Sequence, residues 1–279
     1  MKLGFMTVKD MRSLPFEEVA KFGAEAGFKA VDTPIDEIDT TLRYGMEVGS
    51  TMLRPNAATP DPDERAKAQD ELCALIDRAV AKGVKRGMII HARQPGMTNE
   101  ESVDIFAKGF GPIAEYAEQF DFRLVMEIYH AHGRWLAITP ELIRAVFAAV
   151  PSRALGICLD PSHFVVQGID YMRATREFAE RIYYAHAKDT EILPEKLYEY
   201  GVFGKAFEEG NSRPFYGWWR YRLPGYGEID WPKFIATLVE CGYDDILAVE
   251  HEDAIYYGDV EKNKKGLMLA KQYLETFVA

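Results

Sequence analysis

Five apolar runs in this chain each end in a residue able to hold a metal ion or move a proton. They are Ile89-Ile90-His91, Val125-Met126-Glu127, Cys158-Leu159-Asp160, Tyr184-Ala185-His186 and Ala248-Val249-Glu250. A single acidic residue closing a strand is more often a cap or a salt-bridge partner, and a single histidine is more often packed in a core. Recurrence on successive strands argues for a shared site. Brought together without a partner, Glu127, Asp160 and Glu250 would each cost several kcal/mol of desolvation. A divalent cation removes that cost. Three carboxylates with one neutral imidazole, His186, suit Mn2+, Co2+ or Mg2+ better than a thiolate-type zinc site. Four protein ligands leave a six-coordinate ion two positions, enough for two adjacent sugar oxygens.

Strand parity is consistent with this grouping, because alternate side chains share a face. If Glu127 points inward, so does Val125. Asp160 takes Gly156 and Cys158 inward, His186 takes Tyr184, and Glu250 takes Ala248, whereas His251 turns outward. Lys188 has the parity of His186 and is expected above it, where it would neutralise an enolate or pair with Asp189. His163, in Asp160-Pro161-Ser162-His163, is expected to contact substrate or to support the metal ligands, with structural capping as an equal alternative. His91 is expected at the substrate, with a packed core histidine as the alternative. His130 and His132 read as solvent-facing.

The elements that must position these residues alternate strictly. Strands are expected near Lys2–Met6, Lys29–Thr33, Met46–Leu53, Arg86–His91, Arg123–Tyr129, Ala154–Asp160, Arg181–Ala187 and Ile246–His251. Helical periodicity is expected near Pro15–Ala26, Asp36–Tyr44, Pro62–Lys82, Asn99–Phe120, Pro140–Val150, Asp170–Ala179, Trp231–Cys241 and Val260–Phe277. Alternation means a parallel sheet. No glycine-rich phosphate loop follows the first strand, so an open dinucleotide-binding sheet is disfavoured. The expectation is an α/β fold, one (β/α)8 barrel spanning residues 1–279, with chemistry at the C-terminal ends of its strands. After the seventh strand, Asp189 to Glu228 reads as a long loop dense in aromatics: Tyr198, Tyr200, Phe203, Phe207, Phe215, Tyr216, Trp218, Trp219, Tyr221 and Tyr226, with Arg213, Arg220 and Arg222. Trp218, Trp219 and Arg222 are its candidate substrate contacts, as a lid stacking on a sugar ring. The same aromatics would also serve a subunit interface, and a homo-oligomer is expected.

The 279 residues carry 33 Lys plus Arg against 44 Asp plus Glu, a net charge of −11, which argues against nucleic acid or anionic lipid as partner. The three scattered cysteines, Cys73, Cys158 and Cys241, form no disulfide framework. A reduced, cytoplasmic setting is expected, with no signal-type start and no apolar run of membrane-spanning length.

Taken together, Val125-Met126-Glu127, Leu159-Asp160-Pro161-Ser162-His163, Ala185-His186-Ala187-Lys188-Asp189 and Val249-Glu250-His251-Glu252 resemble the xylose-isomerase-like TIM-barrel superfamily, which includes ketose 3-epimerases, inosose isomerases and dehydratases, and 3-keto-glycoside lyases. The resemblance covers essentially the whole chain. It implies that Glu127, Asp160, His186 and Glu250 bind one divalent ion, Mn2+ foremost, and that Glu127 and Glu250 also exchange the substrate proton. His163 becomes a substrate contact. The chain departs from the epimerases where Gly133 stands for a second glutamate and Ile192 for an arginine, which moves weight to the dehydratase and lyase branches.

The chemistry so implied is proton abstraction beside the carbonyl of a keto-sugar or keto-inositol, through a metal-stabilised enediolate, giving isomerisation or epimerisation. The alternative is β-elimination from a 3-keto-glycoside or inosose at the same site. DNA-repair endonucleases of this barrel type need more histidines and a basic groove. A sugar-binding barrel without catalysis would have tolerated loss of a ligand, yet all four are present.

Overall fold

The computed structural model describes residues 1–7, 9–129, 134–202 and 217–278. His130, His132 and Gly133, and in the aromatic segment Phe203, Phe207, Arg213, Phe215 and Tyr216, lie outside the described residues. Nine strands form one parallel sheet: β1 (Lys2–Phe5), β2 (Ala30–Val31), β3 (Glu47–Val48), β4 (Thr51–Leu53), β5 (Arg86–Ile89), β6 (Arg123–Glu127), β7 (Leu155–Leu159), β8 (Ile182–Ala187) and β11 (Ile246–Val249). Their order is β3-β2-β1-β11-β8-β7-β6-β5-β4.

The two edge strands, β3 and β4, are the halves of the one strand expected at Met46–Leu53, parted by Gly49-Ser50. The sheet therefore nearly closes on itself through a broken third strand. Gly49 N–H donates to the Val31 carbonyl at 2.9 Å, and Thr33 N–H to the Ser50 carbonyl at 2.9 Å. The break has a steric cause. A β-carbon at Gly49 would sit 2.3 Å from the Tyr184 hydroxyl and 2.6 Å from Asp32 Oδ1. Only glycine lets the backbone pass that buried pair.

Helices α1 (Phe16–Glu25), α2 (Ile38–Arg43), α3 (Pro62–Val80), α4 (Asn99–Glu118), α5 (Pro140–Ala149), α6 (Pro161–Gln167), α7 (Tyr171–Glu177), α8 (Pro194–Tyr200), α9 (Trp231–Glu240) and α10 (Val260–Leu274) connect the strands. Several begin as the sequence dictates. Asp61 accepts from Asp63 and Glu64 N–H ahead of Pro62, and Thr98 and Glu101 form a reciprocal capping box on α4. One apolar layer, including Phe106, Phe110 and Ile113 of α4, fills the space between helices and sheet. A second cluster of Ala30, Met88, Val125, Cys158, Tyr184, Ile246 and Ala248, with the inward parity expected from the sequence, plugs the ring itself.

The connection after β8 differs from the loop expected across Asp189–Glu228. It contains β9 (Asp189–Ile192), α8 and β10 (Trp219–Arg222), and β9 and β10 pair as an antiparallel ribbon with Asp189 opposite Arg222. Four-residue strands whose partners lie thirty positions away carry too short a pattern to be read alone. Among the described residues, no helix is long and apolar enough to cross a membrane.

Candidate metal centre

The strands β6, β7, β8 and β11 are consecutive neighbours in the sheet, and each carries one candidate ligand near its C-terminal end. Glu127 is the last residue of β6, Asp160 follows β7, His186 lies in β8, and Glu250 follows β11. Ligand atoms of all four lie within 4.8 Å of one another. His186 turns Nδ1 to the two glutamates, 3.1 Å from Glu127 Oε1 and 3.2 Å from Glu250 Oε2.

Asp160 divides its work. Oδ1 accepts from Ser162 N–H at 2.9 Å and caps α6. Oδ2 is buried and makes no hydrogen bond, although Lys188 Nζ and His163 Nε2 lie 3.2 and 3.4 Å away. A fully buried carboxylate oxygen left without a hydrogen bond, beside two more carboxylates and an imidazole nitrogen, fits a divalent cation.

Lys188, one step above His186, is only 1% exposed at its side chain and holds these anions together. Its ammonium lies 2.7 Å from Glu250 Oε2 and 3.4 Å from Glu252 Oε2, and 3.3 Å from His163 Nε2. Burial opposes its charge, but Asp160, Glu250 and Glu252 outweigh burial and hold its pKa well above the usual lysine range. Burial likewise opposes ionisation of Glu250, yet the Lys188 charge brings that carboxyl down to about 2. For Glu127, burial is outweighed by hydrogen bonds from His163 and His186, and its pKa falls well below the usual range. Both glutamates are therefore ionised at neutral pH.

His163 is buried, with Nδ1 3.1 Å from the Tyr221 hydroxyl and its ring against Tyr129. Tyr221, from β10, also covers the Lys188 ammonium at 4.6 Å. Sequence reasoning placed Tyr221 in the aromatic segment without giving it a role. It missed Asp32 altogether. Asp32 Oδ2 lies 3.8 Å from His186 Nε2, a nitrogen with no hydrogen-bond partner, and Oδ1 accepts from the Tyr184 hydroxyl. The signal existed: Ala30-Val31-Asp32 is one more apolar run closed by an acid, on a strand ahead of those scanned.

Other expectations need correction. His91 has no ring nitrogen to offer a substrate. Nε2 bonds the Glu127 carbonyl at 2.8 Å, and Nδ1 receives Leu136 and Ala137 N–H at 3.3 Å each. Burial brings its pKa down to about 4. Arg222 spends its guanidinium on Glu191 and Asp253. Trp218 and Trp219 are buried in a cluster with Tyr221, Val166, Ile192 and Leu197, and Trp218 Nε1 donates to the Val202 carbonyl at 3.2 Å. Cys158, in keeping with its expected inward parity, is buried packing, its thiol pushed up to about 12 by desolvation.

The family model described as xylose isomerase-like TIM barrel matches residues 3–273. An inosose dehydratase of Clostridium perfringens is 26% identical over 255 residues, 85% of this chain and 82% of that protein. The match to an inosose dehydratase of Bacillus licheniformis, also 26% identical, covers 67% of this chain and spans only 57% of its relative's length. Among solved structures, D-psicose 3-epimerase from Clostridium cellulolyticum H10 superposes with a TM-score of 0.77 at 14% identity, covering 100% of this chain and 99% of its own. The IolI protein with a bound zinc atom gives 0.76 at 16% identity, with 99% of each chain covered. At such identities the structural likeness speaks for the fold.

Proposed function

Because the chain belongs to the xylose isomerase-like TIM-barrel family, we propose that it is a divalent-metal-dependent enzyme that takes the proton beside the carbonyl of a keto-sugar or keto-inositol and returns it as an isomerase or epimerase. The observation that carries this reading is the meeting of Glu127, Asp160, His186 and Glu250 within 4.8 Å at the ends of four adjacent strands. These four residues would hold the ion, Mn2+ by the character of the donors, and when bound it would polarise the substrate carbonyl.

The remaining work falls to side chains. Glu127 and Glu250 both approach His186 Nδ1, at 3.1 and 3.2 Å, and are both ionised, so one accepts the proton and the electron pair of the C–H bond moves into an enediolate. Of the two, Glu127 is the more open at 21% against 10% side-chain exposure, which favours it as the base that meets the substrate first. Lys188 and His163 are placed to donate to developing oxyanion charge. Return of that proton to the adjacent carbon completes isomerisation; for epimerisation Glu250 takes a proton from Lys188, 2.7 Å away, and delivers it to the opposite face, while the abstracted proton passes from Glu127 to solvent and Lys188 is reprotonated from solvent.

A second reading is β-elimination. The buried Lys188 ammonium, in contact with Glu250 and His163, could protonate a departing oxygen as its bond to carbon breaks. The dehydratase relatives lend it weight. NMR of keto-sugars, 3-keto-glycosides and inososes in D2O with Mn2+ separates the two: deuterium uptake alone signals enolisation, and a new alkene signals elimination. In the Glu250→Gln variant turnover should vanish while the fold persists. Wild-type turnover there would remove Glu250 from the mechanism.

A further inference from the structure

Across the barrel mouth from the ligand set lies a cleft of about 700 Å3 on the side of β1, β2, β4 and β5. Strand parity explains its lining. Ala30, Met52 and Met88 face the interior cluster, so Asp32 and Arg54, two positions further along their strands, face the same way at the mouth. Met6 joins them from the end of β1. Asp32 borders both spaces, being 3.8 Å from His186 Nε2 and part of the cleft wall. Asp32 thus stands between the cleft and the His186 side of the ligand set.

Its wall carries the hydroxyl residues Thr7, Thr33 and Ser50, and what sets it apart is the group of methionines beside them. Met6 and Met52 offer thioethers, which are weak acceptors and cannot donate, above Met88, which is only 2% exposed. The acids on its wall are already engaged: Asp32 accepts from Tyr184, and Asp36 pairs with Arg78. Arg54 is exposed and has no hydrogen bond or ion pair among the described residues. Flexible methionines accommodate aromatic faces through sulfur contacts. A guanidinium with its fork unspent recognises a carboxylate. A cleft of this size takes a group larger than a monosaccharide's far end.

We propose that this cleft is the subsite for an aromatic group carried by the substrate, with an anionic substituent on that group meeting Arg54. The substrate class is then a keto-glycoside of an aromatic acid, with its sugar at the ligand set and its aglycone against the methionines. The sugar half of this assignment rests on the proton-abstraction reading, whereas binding of the aglycone can be measured without it.

Calorimetry with methyl, phenyl and 4-carboxyphenyl β-D-glucosides tests the cleft in the protein with Mn2+ present, alongside deuterium uptake by methyl 3-keto-β-D-glucoside. Phenyl should bind on the order of tenfold tighter than methyl, and Met52→Gln should erase that gain. The carboxylate should add a further several-fold, lost in Arg54→Gln while phenyl glucoside binding stays unchanged. Arg54 has no partner to lose, so that variant should keep the wild-type melting temperature. Equal binding of methyl and phenyl glucosides, or a carboxylate gain that survives Arg54→Gln, overturns the subsite even if deuterium uptake proceeds. Binding that follows the expected pattern without any deuterium uptake upholds the cleft and sinks the proton-abstraction reading instead.

Discussion

Replacing His91 by Phe should weaken the fold by a few kcal/mol at neutral pH, and the deficit should shrink in acid. The ring nitrogens serve three backbone groups. Leu136 N–H keeps a second partner, the His91 carbonyl at 3.1 Å, which the substitution does not touch. Ala137 N–H and the Glu127 carbonyl each lose a bond in a buried place, at about 1–3 kcal/mol apiece, so a loss of ~2–6 kcal/mol is expected at pH 7. The pH dependence has the opposite sense. The folded His91 titrates at about 4 and an unfolded histidine near 6.5, so the unfolded chain binds the extra proton between those values. Wild type therefore loses stability as pH falls below 6.5, about 2 kcal/mol by pH 5, and the loss levels off below 4. The variant escapes this contribution, and the gap between the two proteins should narrow by that amount. Urea unfolding of both at pH 7 and pH 5 measures it. A variant with unchanged stability and a raised KM would refute the reasoning and restore His91 as a substrate contact. So would a gap that is constant with pH.

Two further outcomes follow from the same geometry. Mn2+ at about a hundred times its dissociation constant should raise the unfolding free energy by ~2.7 kcal/mol, and Asp160→Asn should abolish that increment in denaturant melts while its amide oxygen still caps α6. Gly109→Ala should destabilise by more than the ~1–3 kcal/mol of ordinary overpacking, because its β-carbon would sit 2.2 Å from the Ala57 carbonyl oxygen, which is backbone and cannot swing away. An unshifted thermal transition would show that α4 can lift from that segment freely.

The ligand-bearing ends of β6, β7, β8 and β11 were legible in the sequence because each is a local event, one polar residue stopping an apolar run. What escaped was set by partners distant in the chain. The break at Gly49-Ser50 exists because Tyr184 and Asp32 meet there. The β9–β10 ribbon needs two short segments to find each other across thirty residues. His91 illustrates the same limit from the other side. Its residue type and strand position matched those of the four candidate ligands, and only the backbone of the segment around Leu136 decides that its nitrogens are spent. Trp218 and Trp219 looked like stacking platforms on composition, but the ribbon turns them against Val166 and Leu197.

Lys188 also bears on how such a site can fold. Three carboxylates converging in a buried place would repel one another and resist desolvation, which in small metal-dependent domains makes the ion a condition of folding. Here a buried ammonium lies within 3.4 Å of Asp160, Glu250 and Glu252, and His186 Nδ1 is within 3.2 Å of both Glu127 and Glu250. The anions are thus compensated by the chain itself. Barrel and site should assemble before any ion arrives, so that the ion adds only its mass-action stabilisation. The same placement serves chemistry. On the proposed proton abstraction, the ammonium that holds Glu250 ionised would also answer the charge that proton removal creates, so one residue would serve both tasks.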